Sequence, residues 1–405
     1  MKKIGFVVPW YGDAILGGAE MEARSVAKHL IAAGLDIEIL TTCVKDFTSN
    51  WNQNYYKPGL YVEADVPVQR FPVRRRETSQ FDEVNRKLIN NIVLTPAEEE
   101  IFMRESVNSP KLYAYIKDHK EEYDLFAFIP YMFGTTYYGS LECLDRAVMI
   151  PCFHEESYLH MRILKDVFER AAGIVYNAEP EQKLAKQVFD LDSVSQVVMG
   201  LGMDTDLTYS AERFRKKYQI RDPFFLYAGR KDKGKNIDTL LRFFRWFHKL
   251  HPDVNLKLVL IGGGEITVPE EIRDCVLDLG FVERQDKYDA NAAAVFLCQP
   301  SIHESFSIVI MESWLCGRPV LVHENCEVTK DFVRKANGGL YFHNYPEFEE
   351  CLLFFLSNEV LCRKMGKQGE YYVRNHFDWE VVIEKYTAFF EEVIQKRGQR
   401  NAGST

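Results

Sequence analysis

The feature that most constrains this chain is a rhythm: short apolar runs, each closed by proline, glycine or a charged turn and followed by a segment of helical spacing. The first run covers residues 4–8 and stops at Pro9; apolar positions then recur at helical intervals over 19–33, end at Gly34, and give way to a second run at 37–41. Two strands joined through a helix read as a βαβ unit, with Gly17-Gly18 at the mouth of that helix. Runs at 125–129, 148–153 and 174–176 continue a parallel sheet.

The rhythm restarts in the second half. Apolar runs at 224–228, 256–261, 276–281, 295–299 and 320–323 alternate with helical segments at 238–250 and after Ser307, predicting a second doubly wound α/β sheet. The Gly-rich turn Gly200-Leu201-Gly202 marks the boundary. The expected domains are 1–200, 201–376, and a final helix with its tail over 377–405; 405 residues suit two cores rather than one. Residues 47–110 break the pattern with Trp51, Tyr55, Tyr56, Arg74-Arg75-Arg76 and a helical segment after Pro96, and are read as an insertion over the first domain.

Composition removes several function classes. A net charge of -9 argues against a general nucleic-acid binder, which needs a basic surface to track phosphates. Met1-Lys2-Lys3 is followed by too short an apolar stretch for a signal-peptide core, and no later run approaches a membrane span, so a cytoplasmic location is expected. The nine cysteines are scattered without a C-x-x-C pair, and several lie inside apolar runs, the pattern of reduced core residues.

Ligands of open parallel sheets bind beyond the carboxyl ends of strands, and those positions carry polar residues and glycines. Arg230 and Lys235 follow the run at 224–228, Gly262-Gly263-Gly264-Glu265 the run ending at 261, and His303 and Glu304 the run ending at 299. Arginine forks two phosphate oxygens and lysine adds a point charge, so the first loop suits a departing diphosphate; a solvated basic turn is the competing reading. The backbone N–H groups of Ser307, Ile308 and Val309 at a helix start would make an anion site. Glu304 and Glu312 suit hydroxyl groups of a sugar or ribose, although isolated acids near a helix are more often structural.

The run from Glu304 to Glu312, followed by Ser313-Trp314-Leu315-Cys316-Gly317-Arg318-Pro319-Val320, resembles the E-x7-E signature of family 4 retaining glycosyltransferases. Gly229-Arg230 with Lys235, Gly280-Phe281-Val282, Gly17-Gly18-Ala19-Glu20 and Phe377-Asp378-Trp379-Glu380 match further family motifs, although the usual Glu-Gly-Phe-Gly is here Glu-Ser-Phe-Ser. The resemblance implies the GT-B arrangement: two Rossmann-like domains facing across a cleft, the last helix returning to the first. It further implies that Arg230 and Lys235 hold the diphosphate with the N–H groups of Ser307, Ile308 and Val309. Glu304 would bind the transferred sugar, Glu312 the ribose, and the backbone near Val282 the base. Gly17 and Gly18 would let backbone approach the phosphates, and His154 would lie near the sugar.

By the same resemblance the reaction is retaining and needs no metal or other cofactor. Asp204-Thr205-Asp206, which reads as a D-x-D metal site, falls in the family's interdomain turn, and Gly262-Gly263-Gly264 lacks dinucleotide-fingerprint spacing. The expected partners are a nucleotide-sugar donor carrying mannose or a glucose-type hexose, and a glycan or lipid-linked acceptor in surface-polysaccharide (O-antigen) synthesis. Arg74-Arg75-Arg76 is the candidate for peripheral contact with the inner membrane face, against a plain solvated turn. A GT-B phosphorylase, a sugar-nucleotide epimerase and a non-catalytic binding protein are the rival readings.

Overall fold

The computed structural model describes residues 2–12, 15 and 18–402, and divides into two compact units, Met1–Gly202 with Val382–Thr405, and Met203–Val381. The first unit is built on eight strands: β1 (Lys3–Val8), β2 (Ile37–Thr42), β3 (Gly59–Glu63), β4 (Val66–Phe71), β5 (Tyr123–Phe128), β6 (Ala147–Met149), β7 (Gly173–Tyr176) and β8 (Ser195–Val198). Their order is β3-β4-β2-β1-β5-β6-β7-β8. The pairs are parallel apart from β3 with β4. β5 is buried throughout and β1 nearly so, which is why both appear in sequence as continuous apolar runs rather than alternating ones.

The stretch read as an insertion supplies two strands of this sheet, β3 and β4, besides two helices, and β4 pairs directly with β2. Its signal was hidden for physical reasons. β3 is an edge strand with Leu60 and Val62 exposed, and β4 carries Pro67 and a buried arginine, Arg70. Arg70 is held by Glu63 at 2.5 Å, by the carbonyl of Tyr11 at 2.8 Å and by the face of Tyr56. Ala64 and Asp65 both have positive φ, the signature of a tight type I′ hairpin. The basic triplet is divided: Arg74 is half-buried and pairs with Glu105 at 3.0 Å, Arg75 is exposed, and Arg76 is buried against the rings of Trp51 and Phe81.

The second unit is a six-stranded parallel sheet: β9 (Phe224–Ala228), β10 (Lys257–Ile261), β11 (Val276–Asp278), β12 (Leu297–Gln299), β13 (Val320–His323) and β14 (Gly339–Phe342). The order is β11-β10-β9-β12-β13-β14. The chain therefore runs outward from β9 in one direction, then returns to its other side, and the gap between the ends of β9 and β12 is the topological switch point. Helix Ile237–Leu250 buries Ile237, Leu240, Leu241, Phe244 and Phe247, one stripe of three-and-four spacing. In the core beneath it Phe225 stacks on Phe296, and Phe296 on Phe355.

Helix Trp379–Ala402 begins in the second unit, but from Val382 onward it belongs to the first. It buries Val382, Tyr386, Phe389, Phe390 and Val393, and the Phe389 ring lies so close to Gly173 that a Cβ there would sit 2.9 Å from it. Lys396 donates to Ser195 Oγ at 3.0 Å.

Candidate functional site

Glycine allows the loops beyond β9 and β10 to run backbone against backbone. Gly262 has φ of +119°, and a Cβ on it would lie 2.0 Å from the Gly229 carbonyl oxygen; a Cβ on Gly264 would meet Lys231 O at 2.8 Å. Lys231 N donates to Gly263 O at 2.7 Å and Gly262 N to Gly280 O at 2.8 Å, so the loops after β9, β10 and β11 are stitched together. Lys231 itself is buried and paired with Asp278 at 2.5 Å, and Asp278 also accepts from Gly280 N. The basic run is thus not one solvated turn. Arg230 stays exposed beside Asp232 at 3.4 Å, Lys231 is an internal clamp, and Lys235 points elsewhere.

Lys235 reaches across the switch point. Its Nζ lies 2.6 Å from Glu304 Oε1, with Glu304 only 10% exposed, and Gln299 Nε2 donates to the same oxygen at 3.3 Å. The loop of Lys235 is fixed by its own backbone, whose N–H bonds the Asp232 side chain at 3.0 Å, and by Asn236, which donates to Pro300 O. A cation from the end of β9 and a carboxylate from the end of β12 therefore meet where a doubly wound sheet binds its ligand.

Next to them Ser307 holds φ of +79°, a left-handed conformation rare for a side-chain-bearing residue, and turns the chain into helix Ile308–Leu315. Its hydroxyl is buried without a partner among the described residues, and Ile308 and Val309, both half-buried, form the first turn with its unpaired N–H groups. Within the helix Glu312 is buried; one oxygen pairs with Lys287, and the other, Oε2, has no partner among the described residues. Val282 lies half-buried between β11 and helix Arg284–Ala293, whose Lys287 and Tyr288 face the same helix. Burial, and then the Glu312 charge, push the Tyr288 hydroxyl above its ordinary pKa. Asp204 pairs with Arg284 at 2.5 Å, and Thr205 bonds Asp378.

In the first unit Gly17 lies outside the described residues. Gly18 opens helix Gly18–Ala32, and a Cβ there would meet nothing within 4 Å. His154 Nε2 lies 3.3 Å from Glu156, which also accepts from Tyr131 at 2.7 Å. Two carboxyls unnoticed in the sequence support this strand end. Glu181 accepts the backbone N–H groups of Phe153 and Asn177, both at 2.6 Å, and burial, offset by those bonds, pushes its pKa up to about 8. Burial likewise pushes Glu22 up to about 7 against hydrogen bonds from Cys152 and Asn177. Glu181 lies in the first turn of helix Glu179–Val188, but the helix is capped by Ala178 and so shows no capping-box pattern; Glu22 and Lys287 carried no signal either.

Residues 210–371, which contain Arg230, Lys235, Glu304 and Glu312, match the family described as glycosyl transferases group 1. That stretch is a group 1 glycosyl transferase domain. The chain is 29% identical over 176 residues to D-inositol 3-phosphate glycosyltransferase of Corynebacterium aurimucosum, covering 39% of this chain and 42% of that protein. It is 28% identical over 206 residues to a Campylobacter jejuni N-acetylgalactosamine-N,N'-diacetylbacillosaminyl-diphospho-undecaprenol 4-alpha-N-acetylgalactosaminyltransferase, covering 49% and 54%. The chain thus spans about half the length of these curated relatives. Sucrose-phosphate synthase from Thermosynechococcus elongatus superposes with a TM-score of 0.70 at 16% identity over 98% of this chain and 100% of that one. Anabaena HepE with UDP and glucose superposes at 0.68 and 15% identity over 97% and 100%. The fold is GT-B, with the group 1 domain in the second unit, as the E-x7-E resemblance implied.

Proposed function

We propose that the protein transfers a hexose from a nucleotide-diphosphate sugar to a glycan or lipid-linked acceptor, with retention and without a metal ion, in building a surface polysaccharide. The observation that carries this reading is the Lys235–Glu304 pair at the switch point, beside the helix start at Ser307. On binding, Lys235 exchanges Glu304 for the diphosphate, and Glu304 turns to hydroxyls of the sugar. Arg230, whose side chain is 71% exposed, is placed to join them. These cations and the helix N–H groups stabilise charge that grows on the departing phosphate oxygen as the bond to the sugar breaks. The acceptor hydroxyl attacks from the same face, and its proton passes to that departing oxygen, so no protein nucleophile enters the balance. The bound UDP of HepE and the lipid-diphosphate acceptor in the Campylobacter relative's name support the donor and acceptor classes.

The test is release of free nucleotide from a panel of UDP-, GDP- and dTDP-sugars, with and without acceptor glycans. Release that needs both substrates, survives chelator and falls about 10²–10³-fold in Lys235→Ala is expected. Phosphate-dependent glycan breakdown, or full activity in Lys235→Ala with its fold intact, would refute the assignment.

A further inference from the structure

Glu312 presents an unusual state for a carboxylate. It is 4% exposed, its Oε1 is held by the Lys287 ammonium from the neighbouring helix Arg284–Ala293, and its Oε2 is buried yet accepts nothing from the described residues. A buried acceptor left open is unfavourable, more so when ionised, so such an atom points to a donor supplied from outside the chain. The donor-site reading above, on which this inference rests, offers ribose hydroxyls there. What that reading leaves unassigned is Lys287. A carboxylate held at neither oxygen would be free to rotate between the two. Lys287 occupies one of the two Glu312 oxygens, so that a single one remains.

We infer that Lys287 is a positioning residue of the donor site: by holding Oε1 of Glu312 it commits Oε2 to a ribose hydroxyl of the nucleotide. Lys287 is itself anchored, since its backbone N–H bonds Glu283 O and its carbonyl accepts from Asn291. Its side chain is 27% exposed, so the inference concerns how Glu312 is presented rather than the stability of the fold. The contact acts on binding of the nucleotide moiety, which is common to ground and transition states, so its loss raises KM and leaves kcat.

The experiment is calorimetric titration of the full chain with UDP and GDP, beside donor kinetics, for wild type, K287M, K287R, E312Q and the double variant E312Q/K287M. K287M is expected to weaken nucleotide binding about tenfold and raise donor KM by a similar factor with kcat nearly unchanged. K287R is expected to recover most of the loss, because a guanidinium can hold the same oxygen. The double variant should bind no worse than E312Q alone, since the lysine acts through the glutamate. Wild-type binding in K287M, additive losses in the double variant, or no recovery in K287R would each overturn the inference while E312Q still reported on the ribose contact. Absence of nucleotide binding by the wild type would remove the donor-site reading and this inference together. Thermal melts show whether K287M is folded; if it is not, K287Q takes its place under the same criteria.

Discussion

At the scale of single residues, the charges that matter here come in opposed pairs with one member buried: Lys235 with Glu304, Lys287 with Glu312, and Lys231 with Asp278. Each lysine tethers a strand-end loop or helix to its neighbour. Glu22, like Glu181, departs from this: among the described residues it is a buried carboxyl bonded by the Cys152 thiol and the Asn177 amide rather than by a cation. Burial holds its pKa at about 7, above its ordinary value of 4.5. In the unfolded chain it loses its proton at lower pH than in the folded one, so rising pH from about 4.5 through 7 favours unfolding, and above that range the penalty is constant. Glu22→Gln is therefore expected to melt at a higher temperature than wild type at pH 8, with the difference shrinking towards pH 4.5. Melting curves across that range check it; a gap independent of pH would mean the carboxyl is ionised in the fold.

At the scale of elements, the loops beyond β9 and β10 in the second unit have a spacing that glycine dictates. Gly262→Ala puts a methyl 2.0 Å from the Gly229 carbonyl at a φ of +119°, so the loops after β9 and β10 must part. Backbone strain alone is unfavourable by about 1–3 kcal/mol, and displacement of Arg230 adds a functional loss. Gly280→Ala, at φ of +63° with nothing within 4 Å, is the control and should lose only about 1 kcal/mol. Melting temperature and UDP or GDP affinity separate the two: Gly262→Ala should lose both, Gly280→Ala little of either.

The same elements explain what could be read from sequence. Buried parallel strands such as β9 and β13 declare themselves as unbroken apolar runs, and the polar residues just past β9 and β12 include Lys235 and Glu304, which the structure brings together. The edge hairpin of β3 and β4 did not, because exposed faces, a proline and an internal arginine erase both periodicities. Lys231 and Lys287 were equally silent. A lysine on a loop or helix looks solvated until the fold supplies the carboxylate opposite it.

At the scale of the whole molecule, the chain leaves its first unit at Gly202, completes the second, and ends by returning to the first through the segment from Val382. That return is part of the first unit's core. Phe389 and Val393 cover Gly173 on β7, where no side chain would fit, and Arg397 reaches Asp124 at the start of β5. Residues 1–202 therefore cannot bury their own sheet without a segment synthesised after the entire second unit. Phe389→Ala removes a ring packed on β7 and should lower the stability of the first unit by about 3–5 kcal/mol. The group 1 domain, whose core clusters around Phe225, Phe296 and Phe355, shares none of those contacts. In the full-length variant, limited proteolysis on warming should then cut within residues 1–202 first while residues 203–381 stay resistant and still bind UDP or GDP. Simultaneous cleavage of both units would show that they unfold as one and that the returning helix stabilises more than the sheet it covers.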